Sequence, residues 1–387
     1  MVLAAGFLVL FMGGGARFAI GLTLRSVVGE LGWGRSELGL AVALFQIVSA
    51  ACMFVSGRMV DRASPRLVLG GGLVIAGVGI GLMTLMSAPW HALLLFGVVF
   101  AVGNGVASII PVSVMATRAF PRRAGLANAV VSSGMSVGQF VVIAALASVL
   151  ATVGWRSVFL WLGVAHLAVA PLLLAMTTPT EGRPAAAVSA SLGLRQAART
   201  RQLWLLLGVY ALCGLDDFFV STHVVALAQD RGLDVFVAGN LLAVMGLAGL
   251  VGVMASGAWS DRAGPIWPTA ASFLIRLAVF VLVLLDRSTV SAVIFALAFG
   301  ATFLVTAPLT VVFVSQSFGT GSLGALTGLI IMVHHVAGGI GAYLGAAAFD
   351  RLGGYDLAFG VMLASNLLAL GLTAGLRPRM FDTSRAL

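Results

Sequence analysis

The chain has 387 residues, of which 60% are hydrophobic and 9% charged, and its mean hydropathy is +1.10. A water-soluble domain carries about a quarter charged residues, so this composition excludes both a soluble fold and a disordered chain. The 22 basic residues outnumber the 13 acidic ones, but all are Arg and they stand singly between apolar runs. This spacing excludes a nucleic-acid-binding patch and predicts an all-α membrane protein with several spans.

Apolar runs of roughly 20 residues, bounded by charges and by Gly or Pro turns, predict twelve transmembrane helices. The predicted spans are 3–28, 38–56, 67–87, 91–117, 124–150, 156–176, 203–229, 236–256, 266–285, 289–314, 323–348 and 357–376. The runs are continuous and do not alternate, which excludes membrane-spanning strands.

The longest connection between predicted spans is the interdomain loop 177–202, which contains two Pro and four Arg. It divides the chain into two six-helix bundles, 1–176 and 203–387, the second of which ends in a short tail. Loops and tail on one side of the predicted helices hold fourteen Arg and the loops on the other side hold five. Because basic loops face the cytoplasm, we expect the loop and both termini to be cytoplasmic.

The two predicted bundles repeat each other at an offset of 200 residues. Asp61-Arg62-Ala63 matches Asp261-Arg262-Ala263, and Gly154 matches Gly354 without a gap between them. Parallel six-helix repeats are related by an axis along the membrane normal, and their substrate site lies between them near the bilayer midplane. The repeat therefore predicts two pseudo-symmetric bundles around a central site.

The loop between spans two and three resembles the signature loop of the major facilitator superfamily, with the pattern Gly57-x-x-x-Asp61-Arg62-x-x-x-Arg66. Other segments resemble the bacterial monocarboxylate-transporter-like branch of that superfamily: Arg17-Phe18-Ala19-Ile20-Gly21-Leu22, Gly32-Trp33-Gly34-Arg35, Cys213-Gly214, Thr222-His223, Arg276, Pro308-Leu309-Thr310 and His334. The resemblance implies the superfamily fold, alternating access by rocking of the two halves, and the inner membrane of a bacterium. Two departures weaken the transfer of a substrate: the eighth span has no ionisable residue, and Asp216 stands where relatives have an uncharged residue.

The same resemblance implies a gate on the cytoplasmic side. Asp61 would cap a neighbouring helix and pair with an Arg at the inner end of span four, here Arg118. The predicted gate residues are Gly57, Asp61, Arg62, Arg66, Arg118, Asp261 and Arg262. Since the second copy of the motif lacks the last basic residue, we expect an asymmetric gate. The alternative is that these Arg residues only set the topology.

Five ionisable residues stand near the centres of predicted spans: Arg17, Asp216, Asp217, Arg276 and His334. An ionised side chain at that depth costs about 2.5–3.5 kcal/mol on insertion scales, so each needs a partner or a water-filled cavity. Such residues are functional candidates by default.

Arg17 and Asp217 occupy equivalent positions of the two repeats, so a rotation axis between the bundles places them across the central path. In the functional interpretation, Arg17 binds a substrate carboxylate with its forked donors, and Asp217 or its neighbour Asp216 takes a proton. The alternative is a permanent Arg17–Asp217 ion pair that only fastens the halves together.

Four further residues are predicted to support substrate binding: Arg276, His334, Asn104 and Gln139. Each has a structural alternative. Arg276 could bridge helices through their carbonyl groups, and His334 could be an interhelical hydrogen-bond donor. For the two amides, a helix–helix hydrogen bond is the alternative.

Together these patterns predict a transporter that carries a small organic anion, a monocarboxylate, together with a proton. Proton-driven efflux of a drug or organic cation, with the two Asp residues as its ligands, is one alternative, and anion exchange without protons is another. The sequence contains no nucleophile–base set and no metal-ligand spacing, so we expect neither an enzyme nor a cofactor or metal site. We expect a monomer whose partners are the anion, protons and the lipid bilayer.

Overall fold

The computed structural model describes residues 1–62, 64–120, 124–177, 194–319 and 323–377, and within these ranges the chain is helical with no strands. The helices are α1 (Val2–Ala16), α2 (Ala19–Leu31), α3 (Arg35–Arg62), α4 (Pro65–Leu82), α5 (Pro89–Leu94), α6 (Ala101–Val106), α7 (Ile109–Ala119), α8 (Ala124–Met176), α9 (Leu194–Ala197), α10 (Arg201–Asp230), α11 (Val235–Ala263), α12 (Ile266–Leu285), α13 (Thr289–Phe303), α14 (Thr306–Phe318), α15 (Leu323–Leu352) and α16 (Asp356–Ala374). A short 3₁₀ helix, Met83–Leu85, follows α4, and a π-helical segment, Leu95–Phe100, joins α5 to α6.

The described residues contain eleven apolar helical stretches long enough to cross a membrane, one fewer than predicted. The difference lies in α8, where Gly154 has φ 74° and ψ 165° and separates two helices that otherwise run on without a loop. This left-handed φ suits glycine, which has no Cβ to clash with the backbone. The predicted five-residue connection at 151–155 is therefore wrong in length, because the chain turns at Gly154 alone. Counted as two helices, α8 brings the eleven stretches to the predicted twelve spans.

Three spans are interrupted near their middle. The first breaks between α1 and α2 at Arg17 and Phe18, the fourth between α6 and α7, and the tenth between α13 and α14. A break at membrane depth leaves backbone groups without partners, which is tolerated only against protein or a water-filled cavity. Arg17 lies at the C-terminal end of α1, where the partial negative charge of the helix terminus favours a cation.

We call α1–α8 the N-terminal half and α10–α16 the C-terminal half. The halves meet in two contacts that the 200-residue repeat relates to each other. A methyl group at Gly39 of α3 would lie 2.6 Å from the Cβ of Ala346 in α15, and one at Gly239 of α11 would lie 2.5 Å from the Cβ of Ala147 in α8. The two glycines are 200 positions apart, so the internal repeat of the sequence is also present in the packing.

Both contacts lie toward the end of the molecule away from the termini. We call this the closed end; it carries the connections after α2, α10, α12 and α15. Nearer the middle, α2 packs on α10, where a methyl group at Gly21 would lie 2.7 Å from the carbonyl oxygen of Ser221. Small residues let the backbones approach this closely. The halves are therefore in direct contact between the bilayer middle and the closed end.

Replacement of Gly252 by Ala should destabilise the protein, because the new methyl group would overlap the carbonyl oxygen of Ala301 where α11 packs on α13. Overpacking of this kind costs about 1–3 kcal/mol, so the midpoint of thermal unfolding in detergent should fall. Gly257→Ala is the matched control on the same helix, since no atom lies within 4 Å of its added methyl group. Equal midpoints for the two variants would contradict the α11–α13 packing.

Candidate functional site

A small cavity, with room for little more than a water molecule in this conformation, lies between the halves where α2, α3 and α10 meet. We call it the interhalf cavity. Its polar lining residues are Arg17, Gln46, Ser221 and Thr222, and its aromatic lining residues are Phe18, Phe45 and Phe218. A mostly apolar cleft with a few convergent polar groups is the usual form of a small-molecule site.

Arg17 is the charged residue of this lining. Its guanidinium lies 4.5 Å from the centroid of the Phe18 ring, and its Nε atom is buried without a hydrogen-bond partner. No carboxylate among the described residues lies within ion-pair distance of Arg17, although the charge of Asp217 acts on it through space. The direct Arg17–Asp217 ion pair offered as the alternative interpretation is therefore absent, and the guanidinium is available to an anion.

Gln46, Ser221 and Thr222 supply uncharged polar groups to the cavity; the sequence predicted none of them as a site residue, and Thr222 stood out only within a family motif. These residues are at most 4% exposed, and within the described part of the chain none of them makes a side-chain hydrogen bond. Their polar groups line the cavity, where water or a ligand can bind them. Their position in the sequence could have identified two of them, since Ser221 and Thr222 follow Asp217 by about one turn on α10.

A second group of polar residues lies inside the C-terminal half. It consists of Arg276, Asp216 and Asp217, and we call it the buried charge cluster. Arg276 of α12 is fully buried, with its Nη2 atom 2.7 Å from Asp217 Oδ1 and its Nη1 atom 3.9 Å from Asp216 Oδ2. Its Nε donates to Thr302 Oγ1 and its Nη2 to the Thr302 carbonyl oxygen, both at 3.0 Å. That carbonyl lies at the end of α13, where the span breaks. Arg276 thus pairs with the carboxylates and also bridges helices, which is the structural role given above as the alternative to substrate binding. It does not line the cavity in this conformation.

The two carboxylates share this guanidinium, and each keeps an oxygen without a hydrogen bond. Ser365 donates to Asp216 Oδ1 at 2.7 Å, whereas Asp216 Oδ2 has no donor. Asp217 Oδ1 contacts Arg276 at 2.7 Å, but the N–H does not point at it, so this is an ion pair without a hydrogen bond. When Arg276 and both carboxylates are ionised, the cluster has one negative charge in excess. A single proton on either carboxylate would make the cluster neutral.

His334 of α15 connects the cluster to the cavity side. Its Nδ1 lies 3.1 Å from the Tyr210 carbonyl oxygen, which can only accept, so Nδ1 carries a hydrogen. Its Nε2 lies 3.7 Å from Asp217 Oδ2. When both groups are unprotonated, each can only accept a hydrogen bond there, so a proton on either one would turn this repulsive approach into an attractive one. The His334 side chain is 17% exposed against 2% for Asp217, and it packs edge-on against Phe218 of the cavity.

Cys213, Asp217 and His334 bring their donor atoms within 4.8 Å of one another, a spacing that a metal ion could use. Arg276 opposes this, because its Nη1 lies 3.4 Å from Cys213 Sγ and its Nη2 contacts the Asp217 carboxylate. A metal ion would place a second cation against a guanidinium in a dry site, at a large electrostatic cost. We therefore assign no metal to these three residues.

The two predicted amides occupy different surroundings. Gln139 of α8 donates from Nε2 to the Leu242 carbonyl oxygen of α11 at 3.0 Å, which is the helix–helix hydrogen bond given as its alternative. Asn104 of α6 packs beside Gly13, where an added methyl group would lie 2.9 Å from its Nδ2 atom. Neither residue lines the interhalf cavity, so a substrate contact by either of them stays a prediction.

Only part of the predicted gate falls within the described side chains. The backbone of α3 is helical through Gly57, Asp61 and Arg62, but the side chains of Asp61 and Arg62 lie outside the described atoms. Arg66 of α4 donates to the Thr177 carbonyl oxygen just after α8, at 2.8 Å. The other three predicted gate residues lie at the ends of helices. Arg118 is in the last turn of α7, and Asp261 and Arg262 are at the end of α11. The Asp61–Arg118 pairing stays a prediction.

A family model described as Major Facilitator Superfamily matches residues 6–342, and also residues 206–385. Three relatives match over most of the chain. The MFS-type transporter YcxA of Bacillus subtilis (strain 168) is 27% identical over 88% of this chain and 85% of its own. Monocarboxylate transporter 13 of Rattus norvegicus is 27% identical over 81% of this chain and 74% of its own. The oxalate:formate antiporter of Oxalobacter formigenes is 24% identical over 98% of this chain and 91% of its own.

Among solved structures, a bacterial homologue of the human lysosomal transporter Spinster superposes with a TM-score of 0.76. The match covers 97% of this chain and 96% of that one at 16% identity. The likeness supports the predicted fold of two pseudo-symmetric six-helix bundles.

Replacement of Arg276 by Gln should destabilise the protein, because it leaves two buried carboxylates without a cation. Loss of one partner of a buried ion pair costs about 3–5 kcal/mol, so the thermal midpoint in detergent should fall sharply. Arg287→Gln is the control: its ion pair with Asp356 has the same 2.7 Å distance, but the two side chains are 73% and 66% exposed. The double variant Arg276→Gln with Asp217→Asn should recover part of the loss. A midpoint for the single variant as high as that of Arg287→Gln would contradict the cluster.

Proposed function

As a member of the major facilitator superfamily this chain is a membrane transporter, and we propose that it carries a small organic anion, a monocarboxylate, together with a proton. The observation that carries the proposal is the half-buried Arg17 side chain, which lines the interhalf cavity without a carboxylate of its own among the described residues. In a cavity between two halves that rock, such a group binds a cargo of opposite charge.

The lining suggests how the anion would be oriented. A carboxylate would take the forked donors of Arg17 in a bidentate contact. Gln46, Ser221 and Thr222 offer hydrogen bonds to other polar atoms, while Phe18, Phe45 and Phe218 contact an apolar part. The cavity is small in this conformation, which favours a compact cargo that enters as the halves move apart. These features favour a small acid with a hydrophobic portion.

Charge balance favours a proton as the companion ion. Arg17, Arg276, Asp216 and Asp217 carry two positive and two negative charges when all are ionised, so the empty site is neutral overall. Binding of a monocarboxylate alone would add one negative charge at membrane depth, where uncompensated charge is costly. One proton on the buried charge cluster restores neutrality, so anion and proton are expected to bind together.

The route of the proton follows from the geometry of His334. His334 is more exposed than the three residues of the buried charge cluster that it adjoins, and its Nε2 faces Asp217 Oδ2 at 3.7 Å. We expect His334 to pass the proton to Asp217, whose ion pair with Arg276 would then loosen. Asp216, held by Ser365, would serve as the second acceptor. The predicted support of substrate binding by Arg276 would require such loosening first.

The remaining features of the proposal follow from the sequence. The excess of Arg in one set of loops supports cytoplasmic termini in a bacterial inner membrane. The division at 177–202 supports two rigid bundles that alternate as a rocker switch. We propose a monomer, since each chain contains a complete cavity.

Cation efflux is less well supported than anion transport. Its ligands would be Asp216 and Asp217, which are both buried and already share Arg276. Anion exchange without protons has a specific point in its favour, because the relative that matches 98% of this chain is an oxalate:formate antiporter. The second prediction below separates exchange from symport.

Replacement of Arg17 by Gln should abolish uptake of small monocarboxylates, because the cavity loses its positive charge. The measurement is uptake into proteoliposomes after a pH jump, with a panel of carboxylates and organic cations. Arg17→Lys should keep only a small fraction of the activity, since an ammonium cannot make the bidentate contact. Arg351→Gln, an exposed Arg at the closed end, is the control and should match the parent. Undiminished carboxylate uptake by Arg17→Gln would overturn the anion assignment.

Replacement of Asp217 by Asn should separate exchange from accumulation. Counterflow of labelled against unlabelled substrate needs no net proton movement and should persist, whereas uphill accumulation driven by a pH gradient should be lost. Asp216→Asn, made in parallel, tests the neighbouring carboxylate. If Asp217→Asn and Asp216→Asn both accumulate substrate as the parent does, then proton coupling through this cluster is refuted and exchange is favoured.

A further inference from the structure

At the closed end, the side chain of Arg35 crosses from one half to the other. Arg35 begins α3 of the N-terminal half, yet it is only 6% exposed. Its Nη1 and Nη2 atoms donate to the two oxygens of Asp230, at the end of α10, at 2.7 and 2.9 Å. This bidentate geometry is the strongest form of an Arg–carboxylate contact. The sequence analysis counted Arg35 only as a loop charge that sets topology.

The C-terminal half surrounds the same guanidinium with two aromatic residues. Arg35 Nη1 donates to the Tyr355 hydroxyl at 2.5 Å, and the guanidinium carbon lies 3.5 Å from the centroid of the Phe349 ring. Tyr355 is itself held, with its hydroxyl 3.3 Å from His223 Nδ1. Asp230, Tyr355 and Phe349 of the C-terminal half therefore form a binding site for the Arg35 side chain of the N-terminal half.

A second contact across the halves involves the backbone at the start of α3. Asp350, near the end of α15, accepts hydrogen bonds from the backbone N–H groups of Arg35 at 2.9 Å and Ser36 at 2.8 Å. A carboxylate in this position caps the first turn of α3 and complements its helix dipole. Gly34 makes room for it, because a methyl group there would lie 2.6 Å from Asp350 Oδ2.

We propose that Arg35, Asp230 and Asp350 form a latch that holds the closed end of the transporter shut. Every one of these contacts joins residues of opposite halves, so all of them must break when that end opens. Charged groups suit this role, because water can solvate Arg35 and both carboxylates once the halves separate, whereas exposed apolar contacts would resist opening. The latch residues do not line the interhalf cavity, so the inference does not depend on the identity of the cargo.

The latch is linked to the cavity through α10. This helix carries Asp230 at its end and Thr222 in the cavity lining, separated by eight residues or about 12 Å of helix. Arg25 adds a weaker contact from the N-terminal half, with its Nε atom 4.0 Å from Asp230. Movement of α10 against the N-terminal half therefore strains the latch and reshapes the cavity together.

The test measures the distance between the halves at the closed end by pulsed electron resonance in nanodiscs, without substrate. Spin labels are attached at Leu85→Cys in the N-terminal half and Leu285→Cys in the C-terminal half, two residues that are 70% and 83% exposed. All proteins also carry Cys52→Ser and Cys213→Ser, so that only the introduced cysteines react. The test variants are Arg35→Gln and Asp230→Asn. The control is Arg156→Gln, which breaks an ion pair with Glu30 at the same end but within one half.

We expect the parent and Arg156→Gln to share one short distance, and both latch variants to show a longer distance as the major population. Asp230→Asn removes the bidentate partner without altering α3, so it decides the question if Arg35→Gln does not fold. Distances for the folded latch variants that superimpose on those of Arg156→Gln would overturn the latch. Because no cargo is present, this outcome is independent of whether the proposed transport function holds.

Discussion

The ion pair between Arg276 and Asp217 determines which charged groups at the centre of the molecule are paired and which face the interhalf cavity. Both groups belong to the C-terminal half and lie fully inside it, where an unpaired charge would be prohibitively costly. Because Arg276 neutralises Asp217 locally, Asp217 does not pair with Arg17 of the other half. Arg17 then stays in the cavity, held by the end of α1 and the face of Phe18. An internal pair in one half thus creates a free cation between the halves.

Helix α10 places three parts of the proposed mechanism on one rigid element. It carries Asp216 and Asp217 near its middle, Ser221 and Thr222 in the cavity lining, and Asp230 at the closed end. Its close approach to α15 depends on Gly214, where any side chain would overlap the carbonyl oxygen of His334. This packing sets His334 beside the carboxylates. A change of charge at the cluster, occupation of the cavity and opening of the closed end therefore all act on the same helix.

Composition, span length and the internal repeat predicted the fold, because membrane helices must be long, apolar and internally hydrogen-bonded. Depth in a span also identified Arg17, Asp217, Arg276 and His334 as the ionisable groups around the centre, of which Asp217 and Arg276 are buried and the other two partly exposed. The partners of these groups could not be predicted, because the repeat relates positions and not contacts: Asp217 is equivalent to Arg17 but pairs with Arg276. Likewise, no local pattern marks Arg35 and Asp230 as partners, because 195 residues separate them and Arg35 reads as a loop charge.

The distribution of charge between and within the halves has a common physical basis. In the proposed alternating-access cycle, the contacts between the halves that must break are made by groups that water can solvate, such as Arg35 with Asp230, or by close-packed glycine and alanine residues. The ion pair that is shielded from water in this structure, Arg276 with Asp217, lies within one half. If the dry pair instead crossed the interface, each opening would expose one uncompensated charge to hydrocarbon or protein interior. Separating the two kinds of ion pair therefore lets the halves move while the buried charges keep their partners.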